Sequence, residues 1–311
     1  MNALNTATQL GGRYQIKAFV PGNPPRILAD WFPNLITNYG MDLMSGANSN
    51  YSYMWEYCSV GTGNTPPAFA NSQLINRKAT TSDKTAIAVG KESAYIWKRM
   101  TYQFKQGAAS GNLAEVGIGA NSNGSLLFSR ALIKDTQGNP TTITVLPDEV
   151  LQVVWEIRHY FPAPSQTTVT IAGSGDHQCH IALLDKNSTV FHESNSYNYI
   201  HHNLRSYCNV YSGVSGLVPE TQNNISHTDY NGIYMSDFPL NYTSGSFKTT
   251  RTLILPVDQF NWPAGISGLS FNESNGTSAG GFQHQVYIDP PIMKTPEQQL
   301  SLTLALNWAR A

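Results

Sequence analysis

Two ten-residue stretches, LQVVWEIRHY at 151–160 and LSLTLALNWA at 300–309, alternate apolar and polar residues almost without a break. In the first, Leu151, Val153, Trp155, Ile157 and His159 share one face, against Gln152, Glu156 and Arg158. In the second, Leu300, Leu302, Leu304, Leu306 and Trp308 stand against Ser301, Thr303, Ala305 and Asn307. A period of two with one apolar face is the pattern of a half-buried antiparallel strand, whereas a helix needs apolar spacings of three and four. Each stretch follows a proline set among polar residues, Pro147 with Asp148 and Glu149, Pro296 with Glu297 and Gln298. The chain is thus committed to sheet, and its C-terminal strand reads as a copy of the earlier one.

The match extends upstream. RMTYQF (99–104) aligns with RTLIL (251–255), and NLAEVGIGANSNG (112–124) with AGISGLSFNESNG (264–276), which sets Leu113, Val116 and Ile118 on Ile266, Leu269 and Phe271. LLFSRALI (126–133) corresponds to HQVYIDPPI (284–292). Four similar segments in one order predict an internal duplication. The fold expected is all-β: two tandem antiparallel β-sandwich domains, jelly-roll or immunoglobulin-like, at 1–162 and 163–311. FPAPS (161–165) joins them, its Pro-Ala-Pro run acting as a semi-rigid spacer. Ahead of the first copy, RYQIKAFV (13–20) alternates like a strand. NLITNYGMDLMSG (34–46) places Leu35, Tyr39 and Leu43 four apart, with Asn34 as N-cap after Pro33 and Gly46 as terminator. This is the one short N-terminal helix predicted, weakened by Gly40. VGTGNTPPAFANS (60–72) reads as a long turn-rich loop, and 163–248 as short strands such as HIALLD and TVFHES between large loops.

Composition narrows the function. Charged residues make up 13% of the chain and the net charge is −1, so nothing steers it toward nucleic acid. Cys58, Cys179 and Cys208 are scattered and odd in number, which gives no disulfide framework and no CxxC pair. The N-terminus lacks a signal-peptide pattern, and no apolar stretch reaches membrane-spanning length. The expectation is synthesis in a cytoplasm with no membrane insertion.

Chemistry-bearing residues give bland readings. DHQCH (176–180), with His192, His201 and His202 further on, has the residue types of a zinc site, but only His177 and Cys179 share a strand face. HHNLR (201–205) lacks the glutamate and histidine spacing of a zincin helix. GTGNT (61–65) and GIGANSNG (117–124) are not followed by a helix whose N-terminus would face a phosphate, so they read as turns. Asp148, Glu149, Glu156 and Asp289 form no evident pair of glycosidase carboxylates, and no G-x-S-x-G elbow occurs. The six Trp and sixteen Tyr suit sandwich cores and subunit interfaces better than a sugar groove. No catalytic, cofactor-binding or metal residue is assigned, and no enzyme activity or cofactor is expected.

WFPNLITNYGMDLM (31–44), CSVGTGNTPP (58–67) and LLFSRALIKDTQGNPTTITVLPDEVLQVVWEIRHYFP (126–162) resemble small virion structural proteins, of tail or tail-fibre type, from tailed bacteriophages. The resemblance covers the first half; the second is looser. It implies a non-enzymatic, repeated particle component, made in the infected host cytoplasm and located in the virion, in the tail, neck or fibre-attachment apparatus. Its partners would be itself, as a homo-oligomer, and other virion proteins. The alternative is a receptor-binding module whose 190–245 loops contact host surface glycan, with a virion-borne glycan hydrolase as the weaker third.

Overall fold

A computed structural model describes residues 3–47, 54–187, 189–191, 193, 200, 202, 204, 207–273 and 281–311. The first half forms β1 (Leu4–Phe19), β2 (Arg26–Pro33), β3 (Leu35–Ile36), α1 (Asn38–Leu43), β4 (Tyr57–Gly61), β5 (Arg77–Thr81) and β6 (Lys84–Lys91). It continues with β7 (Tyr95–Phe104), β8 (Gly111–Leu113), β9 (Glu115–Gly119), β10 (Leu127–Leu132), β11 (Ile143–Val145) and β12 (Val150–Tyr160). Past residues 161–164 come β13 (Ser165–Ile171), β14 (Gly175–Leu184), β15 (Tyr207–Ser212), β16 (Asp229–Tyr234) and β17 (Asn241–Tyr242). The chain ends on β18 (Lys248–Leu255), β19 (Ile266–Asn272), β20 (Gln283–Ile292) and β21 (Leu300–Arg310). The all-β class expected from the alternating pattern is what the chain adopts.

The long first strand organises everything else. Leu4, Thr6, Thr8, Leu10, Tyr14, Ile16 and Ala18 are buried on one face of β1, so a period of two holds across nearly the whole strand. Its C-terminal part pairs antiparallel with β12, from Gln9 opposite Tyr160 to Phe19 opposite Val150. Its N-terminal part pairs parallel with β21, from Leu4 opposite Leu304 to Leu10 opposite Arg310. One sheet therefore runs β17-β18-β21-β1-β12-β7-β6, with β2 also on β1, and belongs to both halves. The C-terminal ends of β12 and β21 both arrive near the middle of β1, where His159 lies opposite Leu10 and Trp308 opposite Thr8.

Two smaller sheets pack on the large one. The first, β3-β10-β9-β4-β5, closes a core in which Tyr14, Met100, Val153 and Trp155 meet Cys58, Val60, Ile118 and Phe128. Trp55 crosses Trp155 edge-on at 5.3 Å and Phe128 at 5.7 Å, the arrangement aromatic quadrupoles favour. The second, β13-β14-β20-β19-β15-β16, closes a core of Leu4, Leu253, Leu302 and Leu304 against Cys179, Cys208, Val210, Leu269 and Val286. Each such side chain contributes about 1.5–3 kcal/mol by leaving water.

The two halves pair their strands in like fashion. Phe104 faces Leu151 where β7 meets β12, and Leu255 faces Leu300 where β18 meets β21. Cys58 of β4 faces Ile118 of β9, and Cys208 of β15 faces Phe271 of β19. β9 pairs antiparallel with β10, and β19 with β20.

Several local expectations need correcting. The helix is six residues long and starts later than the apolar spacing predicted, with Thr37 rather than Asn34 as N-cap; its hydroxyl accepts from the Gly40 amide at 3.0 Å. Leu35 and Ile36 are captured by β10 as a short strand, so sheet pairing overrides the helical pattern there. Gly40 is required for another reason: a Cβ would lie 2.3 Å from the Phe128 carbonyl oxygen, so the helix sits directly on β10. Gly46 does end the helical region, at φ +65° with its amide on the Leu43 carbonyl. The strand read at 13–20 begins nine residues earlier (13 − 4), at Leu4, because Leu4, Thr6 and Thr8 have β21 to pair with. Of TVFHES, Thr189 and Phe191 are buried outside any strand, while His192 and Ser194 lie outside the described residues.

Candidate functional site

The glycine-rich loop after β4 cradles an anion from its own chain. Glu115, fully buried, accepts from the Gly63 and Asn76 amides through one carboxylate oxygen at 3.1 and 2.8 Å, and from the Ile75 amide through the other. Arg130, equally buried, donates to that second oxygen at 2.8 and 3.0 Å and spends its remaining N–H groups on Thr65, Pro66 and Asn71. A Cβ on Gly63 would stand 2.5 Å from the Glu115 oxygen. The segment read as a turn-rich loop is thus pinned by one buried ion pair.

A second buried polar group lies where the halves meet. Glu273 accepts from His202 Nδ1 at 3.1 Å through one oxygen and from His284 Nε2 at 2.7 Å through the other. His202 is enclosed by two rings, with His159 edge-on at 5.1 Å and Trp308 stacked at 5.1 Å. His159 in turn stacks on Phe282 at 4.1 Å. All four ionisable groups are essentially inaccessible to water. Burial alone would raise the Glu273 carboxyl, but the His202 and His284 contacts outweigh it and hold the group ionised. Among the described residues His202 Nε2 and His284 Nδ1 have no hydrogen-bond partner, and a buried polar atom left unpaired costs about 1–3 kcal/mol. Around this point α1 binds the second half: Met41 O accepts from Trp308 Nε1 at 2.8 Å, Met44 O from the His202 amide at 2.7 Å, and Asp42 from Tyr242, Ser244 and Gly245.

On the outer side of the six-stranded sheet, Tyr207 faces Tyr234 and Tyr211 faces Tyr230 across β15 and β16. The Tyr207 and Tyr234 rings lie 3.9 Å apart, over Gly232, whose lack of a Cβ makes room for the Tyr207 ring. Tyr230 is 63% exposed and Tyr234 53%, beside His227. These rings form an apolar face at a sheet edge.

The outer face of the large sheet carries a charge cluster. Glu156 points away from the core, as its strand position predicts, but it is covered by Arg13, Arg99 and Arg158 at 2.6–2.8 Å, and Trp31 lies against Arg13 and Arg99. Burial would raise this carboxyl; the three arginine hydrogen bonds prevail and lower it. A carboxylate lowered in the folded state adds stability that is present above the unfolded value of about 4.3 and is lost as pH falls through the lower folded value. Thermal unfolding should therefore be steady from pH 7 to 5 and drop below about pH 4. Glu156→Gln should flatten that drop; an unchanged acid profile in the variant would contradict the assignment.

The other sequence candidates are dispersed. His177 and Cys179 do share the buried face of β14, but His177 bonds the Pro290 carbonyl and Ser174 hydroxyl. Burial pushes the Cys179 and Cys208 thiols up to about 12 and raises Cys58 well above its ordinary value, and all three are free thiols. Glu149 is paired with Arg26 at 2.8 Å. His192 and His201 lie outside the described residues. The His159, His202, Glu273 and His284 grouping has no local motif, because four separate segments supply it. Among the described residues no helix is long and apolar enough to cross a membrane. No protein-family model matches the chain, and no curated protein or solved structure is significantly similar to it.

Proposed function

We propose that the chain is a structural component of a tailed-phage virion, built as two copies of one β-sandwich and working as a homo-oligomer in the tail, neck or fibre-attachment apparatus. The observation that carries this reading is the shared sheet: β1 pairs with both β12 and β21, so the two sandwiches form one stiff block. The like pairing of β7–β12 with β18–β21, and of β4–β9 with β15–β19, supports duplication. So do the matching segments Tyr57-Cys58-Ser59-Val60 and Tyr207-Cys208-Asn209-Val210. Association is favoured by edges: among the described residues β6 pairs only with β7, and β16 only with β15. Soluble monomers guard such edges, whereas a particle component covers them with a neighbour in closed symmetry. The test is to locate the chain in purified particles by electron microscopy.

A second reading, binding of host surface glycan, is favoured by one observation. Tyr207, Tyr230 and Tyr234 present rings at an exposed edge within the 190–245 region, the kind of surface that stacks on sugar faces. A glycan array separates the two. Binding abolished by Tyr230→Ala with Tyr234→Ala would favour the receptor role.

A further inference from the structure

We propose that His159, His202 and Glu273 form a divalent-metal site of the zinc type at the seam between the two sandwiches. Two imidazoles and one carboxylate are the ligand set zinc takes when it keeps a fourth position for water or another group. One ligand atom from each of the three residues lies within 4.8 Å of the other two. Tetrahedral ligands at about 2.1 Å from a metal stand about 3.4 Å apart, so the widest pair needs to close by about 1.4 Å at most. His202 Nδ1 and Glu273 Oε2, at 3.1 Å, are already at that spacing. A metal there takes the place of the proton the two atoms share, and His202 ligates as a neutral imidazole whose one ring proton sits on Nε2. His284, donating to the second Glu273 oxygen at 2.7 Å, is the outer partner that orients a ligating carboxylate. Phe282 against His159 and Trp308 against His202 supply a dry aromatic wall.

Position gives the site a role. His159 ends β12, from the first half; His202 and Glu273 come from the second. A metal joining them ties the halves together close to the middle of β1, a role independent of what the particle or receptor function turns out to be. The sequence pointed to no metal, and to the His177 and Cys179 stretch if there were one; the geometry points elsewhere. Because the ligands are enclosed, loading accompanies folding.

The experiment unfolds the full chain in denaturant with EDTA and refolds it with no metal, with Zn2+ or with Co2+. Expected are one Co2+ per chain with the strong visible absorption of a low-coordinate site, its displacement by Zn2+, and a higher melting temperature with Zn2+. His284→Gln should weaken binding about 10–100-fold; His159→Gln and His202→Gln should weaken it further, and His177→Gln should leave it unchanged. Should the ligand variants fail to refold, pulsed EPR of the Cu2+-loaded wild type decides, with two coordinated imidazoles expected. A wild type with no Co2+ spectrum and no Zn2+ effect on melting overturns the proposal, as does binding that survives His159→Gln or His202→Gln, or a Cu2+ site with fewer than two imidazoles.

Discussion

Glu115→Ala is expected to cost about 3–5 kcal/mol, the loss typical of breaking a buried ion pair and leaving one charge alone. Arg130 would remain fully buried without its carboxylate, and the Gly63, Ile75 and Asn76 amides would lose their acceptor together. For a chain of this size the melting temperature should fall by roughly 5–8 °C. Glu115→Gln keeps the shape and one acceptor oxygen, so it should cost less than alanine. The measurement is urea unfolding of wild type and both variants under one set of conditions. An alanine variant within 1 kcal/mol of wild type would contradict the claim that this pair holds the 61–76 loop to the sheet.

Trp308→Ala is expected to be of similar size, about 3–5 kcal/mol, for removing a large buried ring that the structure cannot fully close around. The ring stacks on His202 and on Tyr242, and its Nε1 bonds the Met41 carbonyl of α1, so one substitution breaks contact with both halves. Trp308→Phe keeps most of the packing and forfeits the hydrogen bond, an expected loss of about 1 kcal/mol from the bond itself. Equal losses in the two variants would mean that the hydrogen bond, not the ring, secures the seam. Loss below 1 kcal/mol in the alanine variant would remove Trp308 from the account of how the halves are joined.

Period-two alternation made much of the sheet legible. Leu151 to His159 and Leu300 to Trp308 fall on buried faces of β12 and β21 as their spacing requires. What alternation cannot tell is which strand a given strand pairs with. The strand read from Arg13 takes no account of Leu4 to Leu10, yet these residues pair with β21, 300 positions further on (304 − 4). For the same reason Asn34 and Leu35 read as the start of a helix: their local spacing allows one, and only β10 beside them makes a strand the better choice. The repeat of Tyr-Cys-x-Val at 57–60 and 207–210 was a usable signal for pairing β4 and β15 with like partners, and it lay outside the segments first aligned.

The sites were less legible, and the reason is geometric. His177 and Cys179 drew attention because they are near in sequence, and folding gives His177 ordinary hydrogen-bond partners. His159 was visible only as a histidine completing an apolar strand face. Its meeting with His202 and Glu273 depends on β12 and β21 ending at the same place on β1, which no local pattern encodes. The tyrosines of β15 and β16 were counted among aromatic residues suited to cores and interfaces. Their register, Tyr207 opposite Tyr234 and Tyr211 opposite Tyr230, is what gathers them into one face.

Localisation of the chain in purified tailed particles, by mass spectrometry of their proteins and a sub-nanometre electron-microscopy map, tests the structural role most directly. The account predicts that the chain is present in many copies, seen as a ring or trimer in the tail, neck or fibre-attachment region, with neighbouring copies in contact along sheet edges. Particles that lack the chain would contradict it. So would copies that stand apart on the particle while the purified protein sediments at micromolar concentration with the mass of a single chain.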